Sequence, residues 1–515
     1  MRQHIMPAVA ASASLLLLVS PTTALDRSVD HIRGDLSRGL LGDGTGVTIG
    51  IIDSGIDDTH SALSGNNSQG LSRLVAEGNF VPTENSNTGD DVFGHGTGVA
   101  SVILSNNATH KGLAPDARYV NARVLDNGNN YNTDSWVRNG IGFALENGAE
   151  VLNVSLNYGS PFNDGQSNLD KMLDWAAEHR GAHVAVTAGN IGGSFNGSYD
   201  RVRGPGSLFN GLSVGRTGYH FSQVHADSAN AFTTDGRVKP DLVAPGTSIT
   251  MANDDHEITG DFTYTASGTS FASPHVAGLL AQQLDYGKTN NLSINPLVTK
   301  ATMMNATKVV KDKSGSLQSP AGSASNAGVL TVTQPLSASA GAGQIDGVNL
   351  FHQYSAGEFG PGTVNSTGWD LNETGISEGS SIDYIIGTQL EAGTEFVATL
   401  TWLRHVSRTD NGNGIIDALD TFTANEALDD LNLQILKNGN LIAQSASTKD
   451  NVEHLRFTIN ETANYTLRVL GADITGTAST EAFALAWTGT AIPEPTTAAM
   501  MTMLGLAGIR RNRKR

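Results

Sequence analysis

The sequence has no cysteine, so neither disulfides nor thiol chemistry can contribute to it. It is also poor in positive charge. Its 32 Lys and Arg stand against 50 Asp and Glu, a formal net charge of −18. Like charges repel, so neither nucleic acid nor an anionic membrane surface is an expected partner. Charged residues make up only 16% of the chain and hydrophobic ones 39%, a balance that suits a soluble globular protein. The 59 glycines point to many turns, and 515 residues to two or more domains.

The most informative stretch is Gly268-Thr269-Ser270-Phe271-Ala272-Ser273-Pro274-His275-Val276-Ala277-Gly278. It reads as a tight turn running into a helix, with Pro274 tolerated in the first turn. Ser270 then sits at a helix N-terminus, where free N–H groups and the helix dipole favour developing negative charge. A lone serine there reads simply as an N-cap. The chain, however, also offers an acid, a base and an amide. Thr48–Ile52 is a short apolar run, readable as a buried parallel strand that ends in Asp53-Ser54-Gly55. His95 lies in the turn Gly94-His95-Gly96-Thr97 before an apolar helix, and the run His183–Ala188 ends in Gly189-Asn190.

Asp53-Ser54-Gly55, His95-Gly96-Thr97 and Gly268–His275 resemble the three signatures of the subtilisin-like serine proteases, in that family's chain order. The resemblance covers roughly residues 27–353. It implies Ser270 as nucleophile, His95 as proton shuttle, Asp53 as the acid that orients it, and Asn190 as oxyanion donor. It also implies that peptide binds as an added strand, with Ser155-Leu156-Asn157 on one side and Asn127–Tyr131 on the other, and with Gly189 among the substrate-binding residues. Polypeptides are the implied partners, and no cofactor is implied for the chemistry. Asn157 departs from the glycine common in the family, which predicts a narrower or more polar specificity pocket. Gly98 stands where many members carry histidine.

The expected architecture is α/β, a doubly wound and mostly parallel sheet over residues 25–355. Strands are expected at Val47–Ile52, Ala117–Ala122, Val151–Leu156, Val184–Ala188 and Leu212–Val214. Helices are expected at Thr97–Leu104, Thr133–Asn147, Asn168–His179, Ser270–Gln283 and Asn295–Asn305. Residues 311–343 read as a surface insertion rich in Ser, Ala and Gly. Residues 356–490 alternate apolar and polar positions between turn signals such as Lys437-Asn438-Gly439-Asn440, which predicts an antiparallel β-sandwich of jelly-roll type. Within it, Asp410, Asn411, Asn413 and Asp417 resemble part of a calcium loop, a candidate site for structural calcium. Thr409 stands where that loop expects its first acid.

Residues 1–24 read as a signal peptide, with Ala8–Val19 as its apolar core. The stretch from Leu25 to Asp53 leaves no room for a folded propeptide. At the other end, Pro493-Glu494-Pro495, the apolar Ala498–Ile509 and the basic Arg510–Arg515 resemble a PEP-CTERM sorting signal over residues 491–515. Its apolar part is short of the ~20 residues that a membrane span needs, which implies a transient membrane contact and removal of the tail. The implied destination is the surface or extracellular matrix of a Gram-negative-type bacterium. The competing reading is a catalytically silent or auxiliary surface protein, binding matrix on the same scaffold.

Overall fold

The computed structural model describes residues 24–489, apart from 85–87, 159–162, 191–200, 256–259, 425–426 and 476–478. The signal peptide and the sorting tail therefore lie outside the described residues, save Ala24.

Seven strands form the first sheet: β1 (Thr48–Asp53), β2 (Leu74–Asn79), β3 (Arg118–Arg123), β4 (Val151–Val154), β5 (His183–Thr187), β6 (Leu212–Thr217) and β7 (Leu242–Pro245). Their order is β2-β3-β1-β4-β5-β6-β7 and every neighbouring pair is parallel. Strand β1 shows why its sequence is nearly all apolar. Ile49 and Ile51 enter the core on one face, with α3 (His95–Leu104) and α6 (Thr269–Asn290). Ile52 enters the core on the other, with α4 (Asp134–Glu146) and α5 (Asn168–Arg180). A strand covered on both sides has no solvent face to keep polar.

Helices α1 (Ala24–His31) and α2 (Gly34–Leu41) precede the sheet, and α7 (Pro296–Asn305) and α8 (Gly347–Ser355) follow it. Connectivity runs outward from β1 in both directions, through β3 on one side and β4 on the other. The crevice beyond the carboxyl ends of β1 and β4 is thus the switch point where open α/β sheets place their ligands.

The C-terminal region is built on two further sheets. One has the strands β8 (Gly322–Asn326), β9 (Val329–Gln334), β10 (Gly362–Val364), β12 (Ser381–Ile386), β14 (Asp430–Lys437), β15 (Asn440–Ser445) and β17 (Tyr465–Asp473). The other has β11 (Thr367–Ile376), β13 (Glu395–Trp402), β16 (Val452–Thr458) and β18 (Glu481–Thr488). Their orders are β8-β9-β15-β14-β17-β12-β10 and β11-β18-β13-β16. Pairing is antiparallel except for β9 with β15 and β10 with β12. The two sheets share one core, in which Tyr384 of β12 meets Trp487 of β18 at 5.7 Å between ring centres.

One expectation needs correction. Residues 311–343 are not merely a surface insertion: they carry the β8–β9 hairpin, and β9 pairs with β15. The alternation Val329-Leu330-Thr331-Val332 is the signal for it, with Val332 buried. The C-terminal sheets also pack firmly on the first unit. Arg404 is ion-paired with Asp174 of α5, and Thr399 of β13 donates to Asn305 of α7 at 3.0 Å.

Candidate active site

Asp53 closes β1, and its carboxylate is buried at the end of the strand. Oδ1 accepts from the Ser54 backbone N–H at 2.7 Å and from Nδ1 of His95 at 2.6 Å. Oδ2 is buried with no hydrogen-bond partner among the described residues. His95 is the first residue of α3, and the turn that delivers it is very close to the Asp53 loop. A Cβ on Gly96 would fall 2.0 Å from the carbonyl oxygen of Gly55, so only glycine fits there.

Asp91 ties the two loops together. Its Oδ2 accepts from the Thr97 N–H and hydroxyl, both at 2.8 Å, and its Oδ1 from the Ser54 hydroxyl at 2.9 Å. Sequence reasoning missed Asp91. Its only signal is its place four residues before a histidine-bearing glycine turn. Burial pushes the imidazolium of His95 down, but the charge and hydrogen bond of Asp53, with the charge of Asp91, leave its pKa raised.

Ser270 is half-buried in the first turn of α6. The Ser155 hydroxyl donates to its carbonyl oxygen at 2.9 Å, and Asn153 of β4 accepts from Ser273 at 2.9 Å. Strand β4 therefore fixes where the helix begins. Asn190 follows β5. Its Oδ1 accepts from the Thr269 N–H at 3.0 Å, which leaves its amide nitrogen free to point elsewhere. Gly189 has φ +104°, and a Cβ on it would meet Asn157 Oδ1 at 3.2 Å and the Arg203 stem at 3.3 Å.

His95, Ser155, Leu156, Asn157, Asn190 and Ser270 all line one cleft of about 650 Å³. Asn129–Tyr131 line it too, on the side where the sequence placed the second substrate edge. Asn157 Nδ2 donates to Thr187 O at 2.9 Å, so this side chain bridges the ends of β4 and β5. Tyr158, Ser167 and Arg203 also line the cleft, and the sequence reading missed them. Each is an isolated polar residue outside any motif. Gly98 faces the Tyr264 ring, which stands 2.9 Å from where its Cβ would lie.

The Asp410 loop is far from this chemistry in role. Asp410 Oδ1 accepts from the Gly412 N–H at 2.6 Å, and Asp417 Oδ2 from Asn413 Nδ2 at 2.6 Å. The Asn411 Oδ1 accepts from the Asn413 N–H at 2.9 Å. Arg408 reaches into the loop to Asp420, Asp410 and the Ile415 carbonyl. In this arrangement Arg408 and the loop's own N–H and amide groups bond to the same oxygens of Asp410, Asn411, Asp417 and Asp420 that a calcium ion would share. Among the described residues, no group of three or more His, Cys, Asp and Glu is placed to hold a metal.

Residues 44–336 match the Subtilase family, Peptidase_S8. The chain belongs to the subtilase family.

This subtilase is 34% identical to Subtilisin E of Bacillus subtilis over 240 residues, 46% of the chain and 55% of that protein. It is 33% identical to Thermitase of Thermoactinomyces vulgaris over 250 residues, 47% of the chain and 77% of that protein. The chain thus spans little more than half the length of Subtilisin E. Among solved structures, it resembles a cold-adapted subtilisin-like serine proteinase at 30% identity, covering 50% of this chain and 82% of that one, with a TM-score of 0.38. It also resembles MycP1 with its N-terminal propeptide removed, at 20% identity, 63% and 96% coverage and a TM-score of 0.44. The subtilase fold is the first sheet with its flanking helices, and the mainly antiparallel sheets follow it.

Proposed function

We propose that this subtilase is an exported serine endopeptidase. The observation that carries the reading is the buried 2.6 Å bond between Asp53 and His95, on the same cleft as Ser270. Ser270 Oγ attacks the substrate carbonyl carbon while His95 takes its proton. Asp53 holds the imidazole in the right tautomer and stabilises its cation. The Ser270 N–H and the Asn190 amide receive the oxyanion. Collapse of the tetrahedral intermediate passes the proton from His95 to the leaving amine and leaves an acyl-enzyme. Water, deprotonated by His95, releases the acid and restores Ser270. The scheme uses side chains and backbone alone.

A fluorophosphonate probe should label Ser270, and peptides cut from a denatured protein should disappear with Ser270→Ala. Labelling without any cleavage would favour the auxiliary reading, and neither would favour the silent scaffold.

Four parts are proposed for the chain: leader 1–24, peptidase 25–355, sandwich 356–490 and sorting tail 491–515, with the hairpin at 322–334 lying in the peptidase segment but completing a sheet of the sandwich. Truncation after Thr490 should leave folding and cleavage intact but abolish delivery to the surface of the native host. If the mature native protein retains Arg515 by intact mass, the sorting reading is wrong.

A further inference from the structure

We propose that Arg203 makes this enzyme select an acidic side chain, glutamate or aspartate, immediately before the bond it cuts. The inference rests on the peptidase reading above and adds the substrate class.

Arg203 lines the same cleft as Ser270, Asn190 and Asn157. Its backbone is fixed from two sides. Its N–H donates to Ala188 O at 2.9 Å, and its carbonyl accepts from the Gly206 N–H at 2.8 Å and from Asn157 Nδ2 at 3.4 Å. Its stem lies over Gly189, with Cβ and Cδ both 3.3 Å from where a glycine Cβ would be. The side chain is therefore held against the wall that runs from Gly189 to Asn190, beside the amide assigned to the oxyanion. When a peptide lies along Ser155-Leu156-Asn157 with its carbonyl carbon at Ser270, the side chain of that same residue falls between this strand and the Gly189 wall. Arg203 forms the back of that space.

Among the described residues, nothing answers the charge there. Arg203 is half-buried, and it makes no ion pair or side-chain hydrogen bond among the described residues. Among the described residues, the one carboxylate that lines the cleft, Asp134, already pairs with Arg138 at 3.3 Å. A partly desolvated guanidinium with its fork free is suited to a carboxylate, which it can hold through two parallel hydrogen bonds. In a chain with a net charge of −18, a lone cation at the back of a cleft is not explained by general surface charge. A basic substrate residue would be repelled there, and a large apolar one would leave the cation without water or partner.

The test is kcat/KM on a matched series of succinyl-Ala-Ala-Pro-X p-nitroanilides with X as Glu, Gln, Leu or Lys. The Glu substrate should exceed its isostere Gln by roughly 10- to 100-fold, the usual worth of a hydrogen bond to a charged group. Raising salt should shrink that ratio. Arg203→Ala should erase the ratio, Arg203→Lys should keep part of it, and Arg203→Glu should turn it in favour of Lys. Fluorophosphonate titration of each variant counts folded sites, so rates refer to active enzyme. A wild-type Glu-to-Gln ratio of one or less, or a ratio that survives Arg203→Ala, overturns the proposal while leaving the peptidase reading intact. No cleavage of any member, with no labelling of Ser270, overturns both.

Discussion

The hydroxyl of Ser155 donates to the backbone carbonyl of Ser270 at 2.9 Å, so the strand proposed to carry substrate also holds the turn that carries the nucleophile. Ser155 accepts in turn from Asn153 Nδ2 at 2.9 Å. A net hydrogen bond of this kind contributes about 1 kcal/mol. Ser155→Ala should therefore lower kcat by roughly threefold to tenfold, with a modest fall in melting temperature because Asn153 Nδ2 also loses its partner. An unchanged kcat, normalised to titrated sites, would show that Ser270 is positioned without it.

The second prediction concerns pH. His95 must be neutral to accept a proton, so activity should rise with pH through its raised pKa. Asp53→Asn removes the charge that raises this pKa and leaves the burial that lowers it. The rising limb should move to lower pH, while kcat falls on the order of 10⁴-fold, the loss known for the same change in a serine-protease triad. A limb that stays in place would mean that another group titrates.

Asn190→Ala should reduce kcat with KM nearly constant, because the oxyanion exists only in the transition state. The expected loss is roughly 100- to 1000-fold, as for a single oxyanion donor in subtilisin. Thr269→Val leaves the Thr269 N–H contact to Asn190 Oδ1 but removes a hydroxyl that approaches that oxygen at 3.3 Å and accepts from the Gly189 N–H at 3.2 Å and from the Thr187 hydroxyl, so it should lower stability while costing less in kcat than Asn190→Ala. A loss confined to KM would assign Asn190 to ground-state binding.

His405 offers a check on how the C-terminal sheets are held. Its ring lies between Glu178 of α5 at 2.6 Å and Glu481 of β18 at 2.9 Å. The hydrogen bonds to Glu178 and then Glu481 push its pKa up to about 10. Glu481, though drawn down by His405, is held up on balance by burial. A histidine raised on folding stabilises fully below its unfolded value of about 6.5, and loses that contribution as pH climbs through the folded value. The melting temperature should fall from pH 7 to 10, and His405→Gln should flatten that slope. Equal slopes would remove His405 from the account.

How much of this was legible in the sequence depends on burial and on neighbours. β1 and β5 could be read because strands covered on both faces are almost wholly apolar. β2 could not. It is an edge strand whose residues are all half-buried, and Glu77-Gly78-Asn79 interrupts the pattern. β7 has four residues ending in Pro245, too few for periodicity to register. The helix starting at Thr269 was legible at its N-terminus, but it runs on to Asn290, well past Gln283. Asp53, His95 and Ser270 stood out because each sits in a glycine-rich motif whose geometry constrains several residues at once. Asp91 and Arg203 act through single side chains that long-range folding brings to the site. Nothing local distinguishes such a residue from any other surface charge.

The β8–β9 hairpin has a consequence for how this chain can be built or recombined. It is synthesised before α8, yet its partner β15 begins only at Asn440. Until the ribosome has delivered that strand, the hairpin waits with an open edge that no neighbour covers. A chimera cut after Ser355 would inherit the same orphaned edge permanently on one half, and a missing strand pair on the other. The natural unit of exchange is thus not a contiguous block of sequence: any graft of the C-terminal sheets onto another scaffold must bring residues 322–334 along with it.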